Sequence, residues 1–234
     1  MTQSIAELIL ADWRRRIAAL YAEVRRLAGT DQAAAVDHWR TVREELLRTH
    51  PDSPVLPADR VTFRARHFPL DPAMRFEVRV EPATGDSPAS EPASTGAPGT
   101  TFGNARPISF AGATLDLPTS GGGAMAFRRI GWVDVPFAMG PRRLAVYWME
   151  GYAGGLFLPF RDATNQVETY GAGRYLLDGA KSADLGGDAS RGTLILDFNF
   201  AYQPSCAFDP RWSCPLAPRE NWLDVPVRAG ERIA

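Results

Sequence analysis

The sequence predicts an α+β protein, mainly β: an N-terminal helical hairpin followed by an antiparallel β-barrel or sandwich. Three observations carry this expectation. Apolar residues recur at helical spacing only within the first fifty residues. From Val61 onward the period falls to two, in short runs. Turns rich in Gly and Pro separate those runs, and no helix-length pattern lies between them, so antiparallel pairing is expected rather than parallel crossover units. With 234 residues, 45% of them hydrophobic and 23% charged, the chain can bury a core of that kind without staples.

The first helix is marked by Ser4 and Glu7, spaced as a capping box, and by Trp13, Ile17, Leu20, Val24 and Leu27 at alternating separations of four and three. Gly29 suits a left-handed C-terminal cap. Thr30 or Asp31 can start a second helix, which Ala35, Trp39, Val42 and Leu46 continue until Pro51 stops it. Residues 1–50 therefore form a hairpin whose apolar stripe covers the rest of the chain or docks a partner, as a homo- or heterodimer. A seam of about two heptads per helix favours the first option.

Residues 51–234 are expected to form the antiparallel β domain. Phe76, Val78 and Val80 alternate with Arg75, Glu77, Arg79 and Glu81, the pattern of a strand wet on one side. Further strands are expected near 124–130, 144–148, 155–160, 174–177, 194–200 and 223–228. Residues 83–100 have almost nothing to bury and read as a mobile loop. Ser120-Gly121-Gly122-Gly123 is a turn; with no Lys-Ser/Thr and helix after it, it is no phosphate loop.

Charge and motifs exclude several functions. A formal charge of −1 gives no surplus to neutralise a phosphate backbone, so nucleic-acid binding is not expected. No apolar run reaches the ~20 residues that cross a bilayer, and no secretory signal is read, so the expected location is the cytoplasm and no membrane contact is expected. His38, His50 and His67 lack ligand spacing, and neither GxSxG nor a strand-borne GxGxxG occurs. No metal and no cofactor is expected. Cys206 and Cys214 are the two ends of CAFDPRWSC, which can close as a disulfide, hold a soft metal with outside ligands, or simply pack.

Polar and aromatic residues are densest late in the chain. In LILDFNFAY, strand alternation puts Leu194, Leu196, Phe198 and Phe200 on one face, with Asp197 and Asn199 on the other. Arg174 follows Gly171 and Gly173, whose small size lets backbone approach closely, and its guanidinium can clamp a carboxylate, phosphate or sulfate. Its structural alternative is a bridge to Asp197 or Glu168.

These same stretches resemble a family of bacterial and archaeal proteins grouped as a domain of unknown function, numbered 1684. The matching strings are FLPFRDATNQVETYGAGRYLL (157–177), LILDFNFAYQPSCAF (194–208), CPLAPRENW (214–222) and DVPVRAGE (224–231). Weaker matches lie at 51–60 and 67–76. The resemblance implies kinship and no reaction. It marks Asp162, Glu168, Tyr170, Arg174, Asp197, Asn199, Tyr202, Cys206, Cys214 and Asn221 as motif positions. The chain departs from the family's pattern in lacking a basic group at Phe200, in Met74 where an aromatic is expected, in a longer 83–112 region and in its long first helix.

The leading functional expectation is a cofactor-independent enzyme acting on a small anionic or polar metabolite. Asp197, assisted by Asp162 or Glu168, is the acid/base, Arg174 the anion anchor, and Tyr202 or Tyr170 a donor, with Asn199 and Asn221 as further ligand-binding residues. The alternative is a noncatalytic ligand-binding or subunit-assembly module. A flavin-binding small barrel is a third reading.

Overall fold

The computed structural model describes residues 5–83, 112, 114–152 and 154–233. Two helices come first, α1 (Ala6–Ala28) and α2 (Gln32–Thr49). The stripe of Trp13, Ile17, Leu20 and Val24 is buried, joined by Tyr21. On α2 the buried residues are Ala35, Val36, Trp39, Arg43, Leu46 and Leu47. Asp31 caps α2 by accepting the Ala34 N–H at 3.0 Å. Gly29 departs from expectation. Its φ of −71° is right-handed, and α1 ends instead with the Thr30 and Asp31 amides both donating to the Leu27 carbonyl. Ser4 lies outside the described residues, and Ile5 occupies the N-cap of α1 without a side-chain bond.

Eleven strands follow among the described residues. They are β1 (Arg66–His67), β2 (Arg75–Arg79), β3 (Glu81–Pro82), β4 (Thr114–Pro118), β5 (Ala124–Val135), β6 (Arg142–Met149), β7 (Gly155–Phe160), β8 (Arg174–Asp178), β9 (Gly187–Asp188), β10 (Thr193–Asp197) and β11 (Glu231–Arg232). All pairings between them are antiparallel. The main sheet runs β3-β5-β6-β7-β8, with β4 also on β5; β2-β10-β9 and β1-β11 form smaller sheets. The molecule is thus α+β and mainly β, and among the described residues the strands do not close into a ring. Most of the expected 83–100 loop lies outside the described residues.

The central strands of the main sheet are buried on both faces, and period-two alternation decides which residue goes where. Phe127, Ala145, Tyr147, Phe157 and Tyr175 point into one core, which they share with the hairpin's Trp13, Leu20, Val24 and Trp39. Val133, Leu144, Val146, Leu158, Phe160 and Leu176 point into the other, closed by Val78, Leu196, Phe198 and the C-terminal Leu223, Val225 and Val227. The hairpin stripe is therefore covered by the chain's own β portion.

Two expected strands change character. β10 stops at Asp197, whose carboxylate accepts the Asn199 N–H at 3.0 Å and caps a 3₁₀ turn over Phe198–Phe200. The expected two-faced alternation ends there. Residues 223–228 run as an extended segment, not a ladder strand. The Leu223 amide donates to the Arg161 carbonyl and the Val225 carbonyl accepts from Ala163, so its backbone bonds go to a loop.

Candidate functional site

The polar residues of the last third are built into the interior. Arg174 is 1% exposed. Its guanidinium donates to Asp162 Oδ2 at 2.7 Å, to the Val227 carbonyl at 2.7 Å, to the Glu231 carbonyl at 3.1 Å and to the Ala229 carbonyl. Burial works against this charge and lowers its pKa, while the Asp162 carboxylate opposes that shift. The bridge expected to Asp197 or Glu168 is made to Asp162 instead. Gly173 allows it: at φ +100° a Cβ would strike the Phe160 carbonyl oxygen, so only glycine lets β8 begin so close to β7.

Asp162 also accepts the Thr164 amide at 2.7 Å and the Thr164 hydroxyl, which leaves its oxygens occupied by the protein. Asp197 is fully buried among Gln32 Nε2 (2.8 Å), Arg75 (3.4 Å) and Asn199 Nδ2 (2.8 Å). Asn199 clamps Asp71, accepting its amide at 3.0 Å and donating to its carbonyl at 2.8 Å. Asn221 does the same for Ala145 and adds the Pro159 carbonyl, tying β6 to β7. Glu168 lies at the surface paired with Arg228, whose hydrogen bond lowers its pKa. The Tyr170 hydroxyl donates to the Cys206 carbonyl at 3.3 Å and meets Cys206 Sγ at 3.8 Å; burial first, and the Cys206 sulfur next, push its pKa up to about 12. Arg174 and Asp197 share no hydrogen-bond partner among the described residues, and neither lines the cleft between hairpin and sheet.

Tyr202 is different. It lines a cleft of about 240 Å³ between the hairpin and the β portion. Its hydroxyl donates to Asp178 Oδ2 at 2.9 Å, and burial followed by that carboxylate holds its pKa well above the usual value. The Arg43 guanidinium lies 4.6 Å from the Tyr202 ring centroid and pairs with Glu231 at 2.5 Å. Burial opposes the Arg43 charge, yet Glu231 more than offsets this and keeps its pKa above normal.

The walls are mostly apolar: Leu10, Trp13, Ile17, Leu20 and Leu47 from the hairpin, Ala183, Phe208 and Trp212 opposite. Tyr21 supplies an open polar contact. Its oxygen accepts from Trp39 Nε1 at 3.3 Å, while its own proton has no acceptor among the described residues. Arg14 is exposed at the rim with no ion pair there, and Lys181 reaches the rim while holding Asp178 at 3.1 Å.

Tyr21, Arg43 and Arg14 are not among the residues that the sequence marks as a candidate site. A signal for two of them existed: Tyr21 stands four residues after Ile17 and Arg43 four after Trp39, so each is a polar group on a buried helical stripe. No cluster of three or more His, Cys, Asp or Glu able to hold a metal occurs among the described residues. No described helix is long and apolar enough to cross a membrane.

Comparison with known proteins gives a family. No curated protein matches this chain. Among solved structures, the solution NMR structure of an uncharacterized protein of Haloarcula marismortui is similar, with 26% sequence identity and a TM-score of 0.57 over 86% of this chain and 94% of that one. The family model described as "Protein of unknown function (DUF1684)" matches residues 103–232, a span that includes the Arg174–Asp162 bridge, the Asp197–Asn199 turn, Tyr202 and both cysteines. More than half of the chain lies in that match, and this protein belongs to the DUF1684 family.

Proposed function

We propose that this protein is a noncatalytic small-molecule binding module whose ligand occupies the cleft between the hairpin and the β portion. The observation that carries the reading is the cleft itself: a mostly apolar hollow with a hydroxyl donor, Tyr21, that finds no acceptor, and with a cation, Arg14, at its rim that has no ion pair among the described residues. Its volume is below the roughly 300–1,000 Å³ of drug-sized sites. The ligand body is accordingly one or two fused rings or a short acyl chain, with an acceptor for Tyr21 and an anionic group near Arg14. Arg174 and Asp197 are spent on internal bonds, which argues for binding over acid/base turnover.

The test uses 8-anilinonaphthalene-1-sulfonate, which joins an aromatic body to a fixed anion. One saturable site is expected by fluorescence titration. Ala183→Phe, which fills the hollow, should weaken binding at least ~10-fold, and Tyr21→Phe about 5-fold, the worth of one neutral hydrogen bond of about 1 kcal/mol. Undiminished binding by a folded Ala183→Phe protein would sink the assignment.

A further inference from the structure

The mechanism of binding leaves two nucleophilic groups unused, Cys206 and Cys214, the only cysteines of the chain. Both are free thiols and both are buried. They lie at opposite ends of the segment that turns under the cleft wall, which folds back so that Cys214 Sγ reaches the Cys206 backbone. Cys206 begins the approach: it sits in the 3₁₀ turn Ser205–Ala207, and its amide donates to Cys214 Sγ at 3.3 Å. Cys214 is held from the other side. Its amide donates to Ser120 Oγ at 3.0 Å, its carbonyl accepts the Ser120 amide at 2.9 Å, and the next residue, Pro215, accepts the Tyr175 hydroxyl. Cys214 Sγ is thus held 3.3 Å from the Cys206 amide nitrogen, the kind of proximity a disulfide requires.

The surroundings also distinguish the two sulfurs. The Tyr170 hydroxyl points at Cys206 Sγ. Hydrogen bonding from Cys214, against the cost of burial and with further help from Ser120 and Tyr170, draws the Cys206 pKa down to about 6, while the same contact and burial raise that of Cys214. A thiolate and a thiol held close together are the reactants of disulfide chemistry.

We propose that Cys206 and Cys214 are a peroxide-reactive dithiol that closes reversibly into an intramolecular disulfide. The oxidant is hydrogen peroxide, small enough to reach a nearly enclosed sulfur. The Cys206 thiolate attacks one peroxide oxygen; the S–O bond forms, the O–O bond breaks, and the departing hydroxide takes the Cys214 proton and leaves as water. The Cys214 thiolate then attacks the Cys206 sulfenic sulfur; the S–S bond forms, the S–O bond breaks, and the second hydroxide is protonated by solvent. Two electrons pass from the thiols to the peroxide, and an external dithiol returns them. This inference is independent of what the cleft binds.

Purified, reduced full-length protein is treated with hydrogen peroxide, denatured, alkylated and digested. The expected product is a single chain lighter by two hydrogens, with both thiols lost together, a Cys206–Cys214 linked peptide in the map, and full recovery of both thiols by dithiothreitol. In Cys214→Ser, Cys206 should stop at a sulfenic acid captured by dimedone; in Cys206→Ser, no linked peptide should form and the buried Cys214 should remain free to be alkylated after denaturation. Thiols that stay free, that link only between chains, or that pass to sulfinic acid without the linked peptide would each overturn the proposal, and the unmodified protein alone suffices to read them.

Discussion

Arg174 meets one carboxylate and three backbone carbonyls in a place with almost no water. A buried pair of this kind adds little over an apolar substitute, but removing one partner strands the other. Arg174→Ala leaves Asp162 uncompensated and three carbonyls unmatched, and should cost about 3–5 kcal/mol in urea unfolding. Lysine should not rescue it, since a point charge cannot serve four acceptors arranged for a planar fork. A loss below about 1 kcal/mol would refute the view that Arg174 is a structural bolt.

His67 gives a pH dependence at the same scale. Burial depresses its pKa from 6.5 to about 4, and its ring packs edge-on against Trp39 with Nε2 buried and unpartnered. The folded state holds the neutral ring, whereas the unfolded chain takes up a proton near pH 6.5. Its contribution to stability is therefore complete above pH 6.5 and lost as pH falls from 6.5 towards 4, with a slope of at most about 1.4 kcal/mol per pH unit. His67→Phe should flatten this part of the stability profile; an unchanged slope in denaturant titrations at several pH values would show that other groups set it.

At the scale of elements, local rules work where a segment's own hydrogen bonds complete it. The start of α2 was legible as Thr30 or Asp31, and the structure selects Asp31; Asp31→Ala should cost about 1 kcal/mol by thermal unfolding, with no change in ligand titration. Strands β6 to β8 were legible from alternation to within two residues of their ends, while β5 runs five residues past its expected end at Ile130. Residues 223–228 alternate just as well, with Leu223, Val225 and Val227 buried, yet form no ladder strand. Alternation records which side chains face a core and says nothing of which backbone is available to pair. At β10, Asp197 turned the chain into a 3₁₀ turn through its own side chain, a local bond that period-two counting does not see.

At the scale of the whole molecule, one core joins the hairpin to the main sheet. Helices and sheet should consequently unfold together, with far-ultraviolet circular dichroism and tryptophan fluorescence tracing one transition. Trp39 is fully buried at the centre of that contact, against the rings of Phe200 and His67. Trp39→Ala should cost about 3–5 kcal/mol and lower both signals' midpoints equally. A hairpin that melts separately from the sheet would contradict the shared core.

From the order of its residues alone this protein declares two amphipathic helices, a mainly antiparallel β remainder and its kinship to a family, because those depend on periodicities and motifs that span only a few residues. Whether a charged or polar side chain faces a ligand or a neighbour was decided only by tertiary structure. Asp162 and Arg174 are twelve positions apart and Asp197 and Gln32 are 165 apart, and each met its partner only when sheets and hairpin stacked. Burial then made those contacts obligatory, since an ion or amide removed from water must be matched inside. The open polar groups were left at the seam between hairpin and sheet, where two surfaces shaped by different periods do not fill all the space between them.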